Sequence, residues 1–230
     1  MFTLPTGFLA HKNVQSLYSH RANSVDSGES IDWGTAETLT FGSLIQDGYR
    51  VRLSGQDVER GTFSHRHAVV HDQVTGRTHT PLTHVSTLDQ SASAHRRFVA
   101  SNSHLSSMAV LAYEYGYSLA NPNTLTIWEA QYGDFANGAM PVYDQYLSSS
   151  ESKWGVTSGL VTLLPHGLEG ESPDHSSARV ERFLQMCDDD PTHIPDFEAN
   201  YYNRNQKAYN WQLVNCSTPA NYFHALRRQM

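Results

Sequence analysis

Cysteine is almost missing from this chain. Its two examples, Cys187 and Cys216, lie far apart in 230 residues and form no Cys-x-x-Cys pair, which argues against a zinc knuckle or a redox dithiol. So little sulfur makes a reduced intracellular compartment the default. Long apolar runs are missing too: no stretch approaches the roughly 18–20 residues that a membrane-spanning helix needs. Basic clusters are confined to His95-Arg-Arg97 and Arg227-Arg228, and 16 Lys and Arg against 23 Asp and Glu give a net charge of -7. A nucleic-acid surface needs a concentrated basic footprint to neutralise phosphates, so that class of partner is disfavoured. The opening residues, Met1-Phe-Thr-Leu-Pro-Thr-Gly7, contain neither the apolar centre of a secretory signal nor an Arg-rich transit helix.

What is there belongs to an ordinary globular protein, 39% hydrophobic and 17% charged, with enough chain for one large domain or two small ones. Residues 1–30, polar and rich in Ser, Asn and His, read as a partly ordered approach segment, and the body runs over 31–230. Asp32 caps a predicted helix reaching about Gln46, which Asp47-Gly48 stops. Short apolar runs at 49–53, 124–127, 160–164 and 211–215 read as strands, and 72–98 as loop with a short strand or two. A helix from about Ser106 is apolar on nearly every face, as in a core or a subunit contact. Further helices are predicted around 137–147, after a Ser176 or Ser177 cap with Val180, Phe183, Leu184 and Cys187 on one face, and from Thr218-Pro219 onward. Residues 188–208 read as a surface insertion. Strands alternating with helices imply an α/β fold with a mostly parallel sheet flanked by helices.

Three of those strands run straight into polar and aromatic loops: Ser54-Gly-Gln-Asp57, Trp128-Glu-Ala-Gln-Tyr-Gly-Asp-Phe135 and Pro165-His-Gly167. Open α/β sheets bind ligands outside the carboxyl ends of their strands, so these loops suggest one shared site. By itself Phe135 also suits an ordinary core aromatic, and His175 before Ser-Ser suits helix capping. Gly55-Gln56-Asp57 also suits a plain turn. The histidines at 65, 67 and 71 recur at metal-like intervals, but no acidic or Cys partner stands at zinc-like spacing, and no metal site is assigned.

The strings Leu53-Ser-Gly-Gln-Asp-Val-Glu-Arg-Gly-Thr-Phe-Ser-His-Arg-His67, Trp128–Phe135 and Leu164-Pro-His-Gly-Leu-Glu-Gly-Glu-Ser-Pro-Asp-His-Ser-Ser-Ala-Arg179 make the resemblance specific. From about Ile31 onward the chain resembles the 2-oxoglutarate dehydrogenase family, the thiamine-dependent decarboxylase component of its complex. The resemblance implies the transketolase-like domain that receives the aminopyrimidine ring of thiamine diphosphate. It implies that Phe135 packs on that ring, Gln131 hydrogen-bonds it, Leu105 sits beneath it, Gln56 lies close by and His175 faces the substrate end. It also implies His65 and His67 as polar lining of a nearby loop. A glutamine at position 65 would have pointed to the related 2-oxoadipate enzymes, so His65 favours 2-oxoglutarate. A homodimer-type contact, a lipoyl-bearing succinyltransferase partner and the mitochondrial matrix are implied as well.

One departure matters most. The family carries a glutamate where this chain has Ser107, and that carboxyl hydrogen-bonds the aminopyrimidine to favour its imino form. A serine cannot act as an acid of matched pKa, and general acid–base groups typically contribute about 100- to 10,000-fold. The family's Gly-Asp-Gly followed some thirty residues later by Asn-Asn, which holds magnesium and the diphosphate, has no counterpart here. The diphosphate-binding and C-terminal domains are therefore expected outside this stretch, and the chain alone is expected to be inactive. The alternatives are a non-catalytic degenerate paralogue acting as an interaction module, pairing through the apolar helix, or part of a 2-oxoadipate dehydrogenase.

Overall fold

In the computed structural model, which describes residues 1–85, 97–167, 172, 175–190, 192 and 209–230, three of the four apolar runs pair with an unexpected strand at 98–102 into one parallel sheet. Its strands are β1 (Arg50–Gly55), β4 (Phe98–Asn102), β5 (Thr124–Glu129) and β6 (Val161–Leu163), ordered β4-β1-β5-β6 in space. β2 (Val70–His71) and β3 (Thr78–His79) form a separate antiparallel pair. Register sets Leu53 between Ala100 and Ile127, and Ile127 opposite Val161.

A strand covered on both faces must be apolar on both, and all six residues of central β5 are buried. Leu125 and Ile127 point into one core with Phe41, Leu44 and Ile45 of α2 (Trp33–Gln46) and Leu226 of α7 (Pro219–Arg228). Trp128 points the other way, to Val110 and Leu111 of α3 (Ser107–Ala120) and to Val142, Tyr143 and Phe183. Burying each such side chain is worth about 1.5–3 kcal/mol. The fold is thus a parallel sheet flanked by helices.

Local signals set the ends. Asp32 accepts a hydrogen bond from the Thr35 amide at 2.6 Å, and Gly48, with φ of +95°, turns the chain out of α2 towards β1. Ser106 caps α3 by accepting from the Ala109 amide, and Thr218 caps α7 with Pro219 at its first position. The region expected as a helix at 137–147 is helical but irregular: a 3-10 stretch (Gly133–Ala139), α4 (Met140–Val142) and a π turn (Tyr143–Leu147), followed by α5 (Ser150–Trp154). Pro141, which lacks an amide donor, sits inside this run.

The structure corrects several expectations. The segment before residue 31 is not partly ordered: it holds α1 (Lys12–Ser27), a 16-residue helix closed by Gly28 in the left-handed conformation. Its anchors are polar, which is why apolar periodicity missed it. Tyr18 donates to the His67 carbonyl at 2.8 Å, and the buried Arg21 donates to the carbonyls of Arg66, at 2.8 Å, and His65. Residues 211–215 form no strand. Trp211 instead packs on Tyr143 and Phe183 and donates to the Phe183 carbonyl at 3.2 Å. Neither Ser176 nor Ser177 caps α6 (Val180–Gln185), of which only Phe183 is buried, while Leu184 is exposed. Of the insertion at 188–208, residues 191 and 193–208 lie outside the described residues, as do 86–96 of the 72–98 stretch. Among the described residues no helix is long and apolar enough to cross a membrane.

Candidate active site

β1 connects to β4 on one side, whereas β5 lies on its other side, so strand order reverses between β1 and β5. A crevice at such a point, outside the carboxyl ends of the strands, is where doubly wound sheets bind ligands. The ends of β1 and β5 approach closely because Gly55 has no side chain: a Cβ there would collide with the Glu129 carbonyl oxygen. Just beyond them lies a hollow of about 190 Å³ lined by Gln56, Leu105, Ser107, Val110, Gln131 and Phe135, with Trp128 and Ala130 among its remaining walls. Five of the six residues singled out from the sequence therefore share one hollow. It mixes apolar surface with amide and hydroxyl groups and one acidic residue, Glu129, and no Lys or Arg lines it.

His175, the sixth, stands beside the hollow. Its ring stacks on Tyr132 with centroids 4.3 Å apart and lies 5.8 Å from the ring of Phe135. Phe63 meets the other side of Tyr132 at 5.6 Å. The loops that carry these groups are stitched together by the backbone. The Gly133 amide donates to the Pro165 carbonyl at 2.9 Å, the Gly167 amide to that of Ser176 at 2.8 Å, and the Ala178 amide to Nδ1 of His166 at 2.9 Å. Gly133 is needed for this approach, because a Cβ would fall 2.5 Å from both Ala178 Cβ and the Pro165 oxygen.

Ser107 is the first residue of α3, and its side chain faces the hollow. Glu114, one face-repeat further along the same helix, is engaged elsewhere. Its buried carboxylate accepts from Arg52 at 2.7 and 2.8 Å and from the Ser54 hydroxyl at 2.7 Å. Tyr113 and Tyr117 cover the Arg52 guanidinium, which these contacts keep above its ordinary value, the Glu114 hydrogen bond foremost.

Beneath the hollow, on the α2 side of the sheet, lies an ion lattice that sequence reasoning did not find. Arg66 is fully buried and spends all five N–H donors: on both oxygens of Glu37, on both oxygens of Glu129 and on the Val58 carbonyl at 3.0 Å. The Tyr222 hydroxyl adds a hydrogen bond to Glu37 at 2.7 Å. Burial pulls the Arg66 guanidinium down, but Glu37 and Glu129 outweigh it and hold it well above its ordinary value. Burial pushes the Glu37 carboxyl up, and Arg66, His65 and Tyr222 together carry it below the usual carboxylate range. Burial and the adjacent Arg66 both lower His65 from its ordinary value. Arg66 sits inside the string Ser64-His-Arg-His67, but nothing in local spacing announces two carboxylates 29 and 63 residues away.

The Ser64–His67 loop does not line the hollow. His67 and His71, with His11, Asp57, Glu59 and Arg60, line a separate hollow of about 290 Å³, and the ring of Phe63, just before the loop, lies near those of His65 and Tyr132. Asp57 pairs with Arg60 at 3.4 Å rather than joining Gln56. Among the described residues no three His, Cys, Asp or Glu groups are placed to hold a metal ion. Tyr132 and Asp134 were missed as site residues, although both lie in the string Trp128–Phe135.

Residues 29–230 match the family model described as transketolase, pyrimidine binding domain. The chain is 55% identical over its whole length to "2-oxoglutarate dehydrogenase, mitochondrial" of Dictyostelium discoideum, and 49% identical over its whole length to the protein of that name in Schizosaccharomyces pombe. Over 99% of the chain it is 51% identical to the "2-oxoglutarate dehydrogenase E1 component" of Brucella anthropi. The chain spans 22%, 22% and 20% of these relatives, about a fifth of their length. A switch-point crevice on a parallel sheet, matched by a family model over nearly the whole chain, places this protein in the transketolase pyrimidine-binding domain family.

Proposed function

We propose that this chain is the aminopyrimidine-receiving part of a thiamine diphosphate-dependent 2-oxoglutarate dehydrogenase. That enzyme oxidatively decarboxylates 2-oxoglutarate and passes the succinyl group to a lipoyl carrier in the citric acid cycle. The observation that carries the reading is the gathering of Gln56, Leu105, Ser107, Gln131 and Phe135 around one hollow at the switch point. A space of about 190 Å³ is smaller than the roughly 300–1,000 Å³ of pockets that enclose a whole ligand. It suits one flat ring with polar edges, and its lack of cationic lining suits the pyrimidine half alone. Magnesium and the diphosphate then belong to a separate domain.

Thiamine diphosphate, when bound, supplies the acidic carbon that attacks a keto group and stores the electron pair left behind by carbon dioxide. The chain's own residues do the rest. Phe135 and Leu105 would pack on the ring, and the Gln131 amide would hydrogen-bond its edge. His175, stacked on Tyr132, serves the substrate end, where an imidazole moves protons near neutral pH. Ser107 offers the ring nitrogen a single hydrogen bond but holds no ionisable proton, so turnover through this chain is slow.

The exposed Met108, Tyr113 and Leu119 on α3 support a homodimer-type contact, and the lipoyl-bearing succinyltransferase is the downstream partner. The mitochondrial matrix is the compartment, a reading supported by the word "mitochondrial" in the names of two relatives. Ser107 also favours a second reading, a non-catalytic copy that pairs with intact subunits through α3.

Reconstitution tests the proposal. The chain is combined with the diphosphate-binding domain of a relative, magnesium and thiamine diphosphate, and carbon dioxide release from 2-oxoglutarate and 2-oxoadipate is followed. Slow release from 2-oxoglutarate, lost on Phe135→Ala or Gln131→Ala, is expected. Equal release with and without those substitutions, or a preference for 2-oxoadipate, overturns it. Complete silence that persists when a glutamate replaces Ser107 selects the second reading.

A further inference from the structure

We infer that Asp134 is a positioning residue for His175, holding the imidazole proton on Nδ1 so that Nε2 is left as the basic nitrogen. Asp134 lies in the first turn of the 3-10 stretch after β5, and His175 comes from the loop after β6. Nδ1 of His175 and Oδ1 of Asp134 are 4.0 Å apart. Both atoms are shut off from solvent, and neither has a hydrogen-bond partner among the described residues. A buried acceptor and a buried ring nitrogen each left unpaired is an unfavourable state, and here each faces a group able to relieve the other. Closing the gap to hydrogen-bonding distance takes about 1 Å. Catalytic contacts are often this loose before ligand arrives.

The chemistry of the pair fixes the direction. A carboxylate only accepts, so Nδ1 must donate, and a neutral imidazole that donates from Nδ1 accepts at Nε2. The ring cannot rotate away easily, because Tyr132 stacks on its face at 4.3 Å and Phe135 lies at its edge. Asp134 itself is pinned by its neighbour Gly133, bonded to Pro165 and packed against Ala178. The carboxylate therefore orients Nε2 through Nδ1 without itself touching substrate, which rests on the reading that His175 serves the substrate end.

The test reads the proton directly. The full chain is labelled with ¹⁵N at histidine, and the His175 signals are identified by their loss in His175→Gln. Wild-type protein is expected to show Nδ1 in the protonated-type range and Nε2 in the unprotonated-type range. In Asp134→Ala the two exchange, and in Asp134→Asn, whose side-chain oxygen still accepts, the wild-type pattern is largely retained. Unshifted signals from the other histidines show that the variants fold. A proton found on Nε2 in the wild type, or a pattern indifferent to Asp134→Ala, overturns the inference while leaving the proposed function standing. Conversely, the expected pattern in a chain that releases no carbon dioxide on reconstitution even as Ser107→Glu sinks the proposed function alone. In an active assembly Asp134→Ala lowers kcat by up to about 100-fold, the lower end of what a general acid–base group contributes, with KM little changed.

Discussion

Ser107 is the side chain on which the proposed turnover depends most. It opens α3, and the first turn of a helix favours negative charge because its amides point that way. Ser107→Glu therefore puts a carboxylate where both the helix and the hollow accept it. Turnover in the reconstituted assembly should rise by about 100- to 10,000-fold, and the helix end should gain about 0.3–1 kcal/mol. Steady-state rates and urea denaturation check the two parts, and an unchanged rate would refute this account of the defect. At this scale the sequence was informative in an uneven way. Gln56, Leu105, Gln131 and Phe135 were named through their motifs, not through periodicity, which reached only a polar cleft at strand ends. Glu37, Arg66 and Glu129 went unnoticed because their pairing spans long gaps, and a buried arginine looks like any other in a row of letters.

Elements show the same division. Runs such as Thr124–Glu129 were legible because a central parallel strand must be apolar on both faces. The Trp211–Asn215 run carries the same surface signal but folds as a loop, since a short apolar run does not say which neighbour it will meet. Helix α1 was illegible for the opposite reason, being held by Tyr18 and Arg21 on backbone carbonyls. The β2–β3 hairpin carries a further polar tether. Its Asp72 carboxylate accepts from the amides of Leu9 at 2.8 Å, Thr75 at 2.7 Å and Val74 at 2.9 Å, which lowers it from 3.8 to about 2, Leu9 contributing most. A depressed carboxyl stabilises the fold above its unfolded value. As pH falls through that window the unfolded chain takes up the proton first, and the stabilisation drains away. Thermal melts of wild type and Asp72→Asn between about pH 4 and about 2 should therefore converge toward the acid end. Parallel curves would mean that the tether does not titrate as described.

Across the whole molecule, the Arg66 lattice joins α2, β5, α7 and the loop that α1 grips. Removing one partner of a buried ion pair strands the others, so Arg66→Met should destabilise the protein by about 3–5 kcal/mol. Adding Glu37→Met and Glu129→Met should recover most of that loss, since apolar replacements of a complete buried cluster are often neutral or better. Chemical denaturation of the single and triple variants decides it, and a mild single variant would mean the lattice is partly hydrated. The lattice also has a direction in time. Tyr222 reaches Glu37 across 185 positions, and Arg227 holds Asp47 at 2.7 Å and Ser43 at 3.0 Å. A ribosome must release nearly all of this stretch before the scaffolding under the crevice is finished. Until then the flank of α2 that meets Tyr222 and Leu226 stays open to water, and only its sheet-facing side, with Phe41, Leu44 and Ile45, can already be covered during synthesis.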